Sequence, residues 1–472
     1  VEEEKDVRIR PTLLLLGALL ALGVFLVLVE IPARKKEIKT KAEEKNVFVF
    51  DENSVKEIYI RNPGGEYLVA RGPQEKWRIV KPIETEADQG FVNSILYGMR
   101  SLTYERVLEE KPKDLSLYGL DKPRMGIRVT LDGAEKPLAL NVGKKSPLGQ
   151  IYAKRDDQER VFLVAAVVEQ TLMKGLFELR DKSVVSFERN QVEKIILQAP
   201  KKRAELAKRN KGWFILGRTA VRANEDTVNK ILTSLSSLRV EEFIEDNPES
   251  LSKYGLDPPW GRVGLILAKD KSQLELRMGS LAPKRLAIYA TAAGRDSVFL
   301  LQSHYRDNLN NIFSELRDMM AFSIKNWDVE KFEMTFGKNV IEVSKDIHDY
   351  WHIAQAFSLT AGYNAANEVV RKLTELKFSR IESEEPANLS SYGLAKPSAR
   401  VKIWAKGNKT PEEIIFGMKG KLLFAKRDGE EPVYLVPDTI LQTLKKGLDD
   451  LLAPEEKPIY EEKLKEKKGS GK

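Results

Sequence analysis

Cysteine is missing from all 472 residues, so disulfides, thiolate metal sites and cysteine nucleophiles are excluded. Compartment stays open, because domains of this size do not need covalent staples. Histidine is scarce, with only His304, His348 and His352. The last two stand four apart in H-D-Y-W-H, a metal-ligand spacing if helical. They flank Trp351 in an expected strand or turn, however, and lack the glutamate that the zinc-protease motif places directly after its first histidine. They read as a solvated pair, and His304 has no evident partner.

Charge of one sign is never concentrated. The net charge is +8, but 78 basic and 70 acidic residues interleave without a run of five or six alike. A nucleic-acid binder gathers its cations into a face or stripe, often with stacking aromatics, so nucleic acid is not an expected partner. No G-x-S-x-G elbow occurs. The run Gly143-Lys-Lys-Ser-Pro-Leu-Gly149 superficially resembles a phosphate loop but lacks the Gly-x4-Gly-Lys-Ser/Thr order and joins two expected strands. Neither nucleotide nor any other cofactor or metal is expected, and no catalytic residue stands out.

What the chain does have is a repeat. Pro112 to Pro123 reads P-K-D-L-S-L-Y-G-L-D-K-P, and the frame returns at Pro248 to Pro259 and at Pro386 to Pro397. The copies start 248 − 112 = 136 and 386 − 248 = 138 residues apart, which makes each period domain-sized. Pro112, Pro248 and Pro386 suit a first helical position, and Gly119, Gly255 and Gly393 suit the left-handed residue past a helix end. Leu115 with Leu120, Leu251 with Leu256, and Leu389 with Leu394 then take the two positions that touch in a Schellman motif. Pro123, Pro259 and Pro397 forbid the helix from resuming. Such a stretch is folding grammar, a short capped helix, and names no activity.

In chain order, residues 1–12 are a polar flank. Leu13 to Val29 is apolar without interruption, and a transmembrane anchor over 13–31 is expected, followed by a basic linker over 32–46. Lys5, Arg8 and Arg10 precede the span while Arg34, Lys35, Lys36, Lys39, Lys41 and Lys45 follow it, a count that favours repeats in the cytoplasm. The first repeat covers 47–187. Val55–Arg61, Glu66–Ala70 and Lys76–Lys81 alternate as a meander, and Ala87–Leu102 switches to helical period, with Phe91, Ile95, Met99 and Leu102 on one face and Asp88 as N-cap. Strands near Met125–Leu131 and Pro137–Val142 meet at a hairpin-forming Asp132-Gly133. Strands over Gln150–Lys154 and Arg160–Val164 and a closing helix over Ala166–Arg180 complete the unit. The order recurs over 188–324 and 325–453, and a charged tail over 454–472 is expected to be disordered.

Trp77, Trp213 and Trp351 hold one repeated place and are the candidate binding residues, as stacking platforms; the bland alternative is a core residue on a half-buried strand. For Tyr118, Tyr254 and Tyr392 the expectation is structural, with the hydroxyl tied to a neighbouring carbonyl. Glu178-Leu-Arg-Asp181 recurs as Glu315-Leu-Arg-Asp318 and reads as a helix-end device, lost in the third repeat where Leu452 replaces the arginine.

The N-terminal span, the W-x-I/L strand, the helix, L-x-x-Y-G-L-x-x-P and the strand leading to Gly-Lys and Tyr-Ala-Lys together resemble the bacterial domain-of-unknown-function 4340 repeat family, often encoded beside gliding-motility-type ABC transporters. The resemblance carries over no catalytic residues. It implies an inner-membrane, single-pass protein with its repeats in the periplasm, against the charge count. The expected fold is α+β, three tandem, mainly antiparallel β modules with helices behind one transmembrane helix. The expected function is a non-enzymatic binding or adaptor subunit of an ABC-type transport complex, with transporter subunits and the bilayer as partners. A glycan- or lipid-binding module and, further off, an envelope hydrolase are the alternatives.

Overall fold

The computed structural model describes residue 28 and residues 45–209, 212–268, 271–354 and 359–469. Apart from Leu28 the expected anchor lies outside the described residues, and among them no helix is long and apolar enough to cross a membrane. The described chain divides into two compact units, one ending at Lys182 and one starting at Ser183; the first holds one repeat and the second holds two.

The first repeat contains strands β1 (Val55–Asn62), β2 (Gly65–Arg71), β3 (Trp77–Lys81), β4 (Thr85–Glu86), β5 (Tyr104–Glu109), β6 (Met125–Leu131), β7 (Leu138–Lys145), β8 (Ile151–Arg155) and β9 (Val161–Val164). Its helices are α1 (Gln89–Arg100), α2 (Val167–Leu172) and α3 (Leu176–Leu179). The strands form one antiparallel sheet in the order β4-β3-β2-β1-β6-β7-β8-β9-β5. Two meanders thus meet at the β1–β6 seam, and α1 carries the chain from one edge to the other. Both later repeats have nine-stranded sheets of the same order. Even the irregularity recurs: the seam slips register between Val55 and Glu57, between Val192 and Lys194, and between Val329 and Lys331.

Local chemistry explains most of these elements. Asp88 accepts a hydrogen bond from the Phe91 N–H at 2.9 Å, and Asn224 does the same for Thr227 at 3.0 Å, which caps the main helix of the first two repeats. The buried face of α1 is Val92, Ile95, Leu96 and Met99, with Phe91 half-buried at its margin. The closing helix is broken into α2 and α3 because Gly175 interrupts it; Gly447 does so in the third repeat. The second repeat has Ile312 there, and His304–Glu315 runs unbroken. Asp132-Gly133 does not make a tight hairpin, since pairing of β6 with β7 ends at Val129 and Leu138. Asp132 instead donates its N–H to the Ser54 carbonyl at 2.7 Å. Residues Glu456–Gly469, expected to be disordered, are helical; the stretch is rich in good helix formers, and Tyr460 packs against the third core.

Three devices close each module, two of backbone and one of side chain. A lead-in pairs with the turn into β5: Asn46 with Thr103, Ser183 with Arg239, Met320 with Lys377. A closing segment pairs beyond β4: Ala87 with Arg180, Ala223 with Arg317, Ala361 with Leu452. The Glu-Leu-Arg-Asp stretch is therefore an added bridge on the sheet edge. Because its hydrogen bonds are main-chain, as in Asp88 N–H to Leu179 and Gly362 N–H to Leu451, both 2.8 Å, the role survives the change to Leu452. An arginine then ties down the lead-in carbonyls: Arg155 to Val47, Arg295 to Ser183, Arg427 to Ala321. Arg295 compensates for the missing Ala-Lys-Arg-Asp run of the second repeat. The pairings of Ser183 and Met320 start the second and third modules a few residues ahead of 188 and 325.

The repeated turn is a Schellman motif in all three copies. Leu120, Leu256 and Leu394 donate to Leu115, Leu251 and Leu389 at 2.9, 3.2 and 3.0 Å, while Gly119, Gly255 and Gly393 have φ of 65°, 65° and 70°. The helical turn is shorter than expected, a 3-10 turn over Leu115–Tyr118 capped by Asp114, which leaves Pro112 outside it; Asn388 caps the third copy in the same way, outside which Pro386 lies. In the second copy the turn is Ser252–Tyr254, and Pro248 again precedes it. The turn packs on the sheet face opposite the main core. In the second repeat Tyr254, Leu256 and Val298 form a separate small cluster, and Leu394, Phe424 and Val433 do so in the third. Backbone comes close to backbone at a glycine in β7 and at its counterparts. A Cβ on Gly143, Gly279 or Gly417 would lie under 3.0 Å from the carbonyl oxygen of Tyr118, Tyr254 or Tyr392. We expect Gly143→Ala to cost about 2 kcal/mol of stability through this clash. Gly98→Ala, in the open middle of α1, should gain up to about 1 kcal/mol. Urea unfolding of the full chain reads both, and equal effects would refute the contact.

Candidate functional site

Trp77, Trp213 and Trp351 are 1%, 7% and 1% exposed, so none offers a ring face to a ligand. They are core residues. The indole N–H of Trp77 donates to Asn93 at 3.2 Å and that of Trp351 to Asn367 at 3.0 Å, in each case an asparagine of the main helix. Arg71 lies over the Trp77 ring and Lys345 over the Trp351 ring. Tyr118 donates not to a carbonyl but to the Glu109 carboxylate at 2.8 Å, and Tyr254 to Glu245. These bonds, with burial, raise both phenols above their ordinary value. Ser383 stands in the equivalent place of the third repeat. Each ring also meets an aromatic ring of β8 or its counterpart: Tyr118 with Tyr152 and Tyr392 with Phe424 edge to face, and Tyr254 with Tyr289 tilted, at 5.1, 5.2 and 4.9 Å. In the glycine-lysine loop, Lys144 donates to the Ser116 carbonyl at 2.9 Å and so braces the turn.

Charge is buried where the second repeat meets the third. Arg427, 4% exposed, donates through Nη1 to Glu430 at 2.9 Å and to the Tyr434 hydroxyl at 3.1 Å. Nη2 donates to the carbonyls of Asp318, at 2.7 Å, and Met320, and Nε to Ala321 at 3.3 Å. All five guanidinium donors are therefore spent. Arg222, on the edge strand Val221–Arg222, reaches Glu412 at 3.2 Å and the Ala321 carbonyl at 2.9 Å, with Asp318 and Glu430 each 3.7 Å from its Nε. Burial works to raise the Glu430 carboxyl, but the two arginines and the Tyr434 hydroxyl hold it below its ordinary value on balance. Burial raises Tyr434. With every donor of Arg427 committed, the cluster pins two modules together.

A second feature breaks the threefold pattern. Beside the third repeat's main helix, Tyr363–Thr374, lies an open groove of about 970 Å³, lined among others by Trp327, Asp328, Ile347, Tyr363 and Lys406. Trp327, Ile347 and Tyr363 are 73%, 94% and 64% exposed. Asn53 and Asn190 stand where Trp327 does, and Gln89 and Glu225 where Tyr363 does. Among the described residues, the side chains of Trp327, Asp328, Tyr363 and Lys406 have no hydrogen bond or ion pair. On the groove wall Asp346 accepts from the backbone of His348 and Tyr350 and meets the His352 ring at 3.0 Å. His348 and His352 do not converge on a third ligand. His304 opens the helix His304–Glu315 and packs on Tyr305. Among the described residues no group of three or more acidic or histidine side chains is placed to hold a metal.

The model of the family described as "Domain of unknown function (DUF4340)" matches residues 77–219, 213–381 and 351–468. The chain belongs to this family. Each DUF4340 window opens on one of the repeated tryptophans and runs on into the strands of the following module, or into the final helix. Among curated proteins nothing matches. Two solved DNA polymerase sliding clamps from Pseudomonas aeruginosa align, one with a ligand. They share 7% and 8% identity, cover 84% and 85% of this chain and 94% and 96% of their own, and each has a TM-score of 0.16. At that level of likeness they carry no argument. Within this DUF4340 chain, then, the groove rather than the shared tryptophans is the candidate binding surface. Its only trace in the sequence is the set of aromatics without counterparts in the other repeats.

Truncating Arg427 would strand Glu430 in a buried site. Arg427→Met should therefore destabilise the second unit by about 3 kcal/mol or more. The depressed Glu430 carboxyl sets the pH dependence. Its stabilisation is complete above the ordinary value of 4.5 and is lost as pH falls through the lower folded value. Glu430→Gln should flatten that acid limb, read as denaturant midpoints between pH 7 and pH 3; an unchanged slope would refute the assignment.

Proposed function

We propose that this DUF4340 chain is a non-enzymatic, membrane-anchored binding or adaptor subunit of an ABC-type transport complex. Residues 13–31 would hold it at the bacterial inner membrane as a single span, with the repeats in the periplasm. The observation that supports a binding role is how the repeated residues are used. Turn prolines and glycines, the buried tryptophans and Arg427 all serve shape, and the indoles of Trp77 and Trp351 and the guanidinium of Arg427 bond within the fold. What remains available is surface: three sheets of one order that present similar faces to a partner. Burial of the three tryptophans weighs against a glycan- or lipid-binding role on the shared positions.

Expressed in detergent-solubilised membranes with neighbouring transporter genes, the full chain should co-purify with the permease subunits, and deleting residues 13–31 should abolish this. A chain that always elutes alone would overturn the adaptor reading. Reporter fusions at Lys472 should be active in the periplasm and silent for a cytoplasmic reporter; the reverse would favour the flanking-charge count instead.

A further inference from the structure

The groove of the third repeat has the chemistry of a ligand site rather than of a solvated crevice. A fully formed module does not need exposed indole, phenol and isoleucine side chains side by side, since the first two repeats fold with Asn53 or Asn190 and Gln89 or Glu225 in the matching places. Exposed apolar groups gathered at one concave place, rimmed by polar ones, mark interaction sites. The volume of about 970 Å³ falls in the usual range for small-ligand pockets. Trp327, Asp328, Tyr363 and Lys406 add donors and acceptors that have no partner among the described residues.

The lining selects the ligand class. Seven charged side chains line the groove, four acidic (Asp328, Glu330, Asp346, Asp349) and three basic (Lys345, Arg371, Lys406). An excess of carboxylates disfavours a polyphosphate or a nucleic-acid backbone. Charges interleaved with the aromatics interrupt the continuous apolar path that an acyl chain requires. A neutral polyhydroxylated ring suits both halves of the lining. Its axial C–H face stacks on the electron-rich face of an indole or phenol, and its hydroxyls exchange hydrogen bonds with carboxylate, amide and ammonium groups.

We propose that this groove binds a neutral pyranose oligosaccharide, one ring stacked on Trp327 and the chain running past Tyr363. The proposal rests on the reading of the chain as a binding protein and adds to it a second ligand, distinct from the transporter partner. Asp328 and Lys406 supply the hydroxyl contacts, and Ile347 closes the apolar wall.

The test titrates the full chain in detergent with chitotetraose and, separately, cellotetraose, following tryptophan emission, iodide quenching and calorimetric heat. Trp327 is the one tryptophan of the six that is largely exposed, so saturation with either sugar should shift emission to the blue and protect against iodide. Trp327→Ala should weaken binding about tenfold, and Trp327→Phe less. Tyr97→Ala, an exposed aromatic of the first repeat, should leave affinity unchanged. Absence of saturable heat with both sugars, or full affinity in Trp327→Ala, overturns the proposal. So does protection of Trp327 by phosphatidylglycerol vesicles but by neither sugar, which would make the groove a lipid site. Loss of permease co-purification in Trp327→Ala without sugar binding would also overturn it while leaving the adaptor reading intact. Sugar binding by a chain that never co-purifies with a permease would do the reverse.

Discussion

A main-chain carbonyl pressed against a glycine is the contact on which each module depends. The oxygens of Tyr118, Tyr254 and Tyr392 occupy the space that a side chain on Gly143, Gly279 or Gly417 would need. Because the turn lies that flat on the sheet, its final leucine reaches the reverse face. There it covers Val298 in the second repeat and Val433 in the third, each fully buried. The residue after the shared serine differs among the copies, Leu117, Lys253 and Ser391, without disturbing the geometry. Backbone makes the contact, so side chains around it are free to change.

Turn chemistry and strand alternation were legible in the sequence because both are local. Asp88 as a cap, the Leu115–Leu120 pairing and the period-two strands follow from residues within one or two turns of each other. The edge strand Tyr104–Glu109 left no such trace. It is half-exposed and its register slips twice against β9, so no clean alternation marks it. The closing bridges were read only in part: Glu178 does stabilise a helix end, accepting from the Gly175 N–H at 3.0 Å, but the bridge itself is main-chain and blind to the arginine that seemed to define it. The charge cluster was illegible altogether. Its members run from Arg222 to Tyr434, and only folding brings them within hydrogen-bond reach. The groove was half legible, since Trp327 and Tyr363 are conspicuous only against the polar residues in the other two copies.

Triplication gives the third repeat room to diverge. A module whose stability resides in backbone contacts, a buried tryptophan and a leucine-capped turn can exchange its surface residues at little cost. In the first and third repeats the asparagine partner of the indole, a capped or glycine-led helix start and the seam bulge all persist. Trp327 and Tyr363, which set the groove apart from the other repeats, fall at positions whose side chains the scaffold does not use. Conversely, Arg427 at the junction of the second and third repeats is so fully bonded that it cannot be released for chemistry without loosening the joint. Shape and recognition are therefore assigned to different residues of the same repeat.

The joint itself is very short. Asp318 still bonds to Arg222 in the module it closes, and Met320 already pairs with Lys377 in the module it opens, so Met319 alone separates them. The unit of ancestry and the unit of folding are consequently out of step. A polypeptide trimmed to one family window, 213–381, would part Gly261–Leu267 from its seam neighbour Val192–Ala199 and carry Val329–Phe336 without Ala399–Ala405. The orphaned ribbon edges, each seeking any strand it can find, would make such a fragment prone to self-association rather than a miniature of the whole.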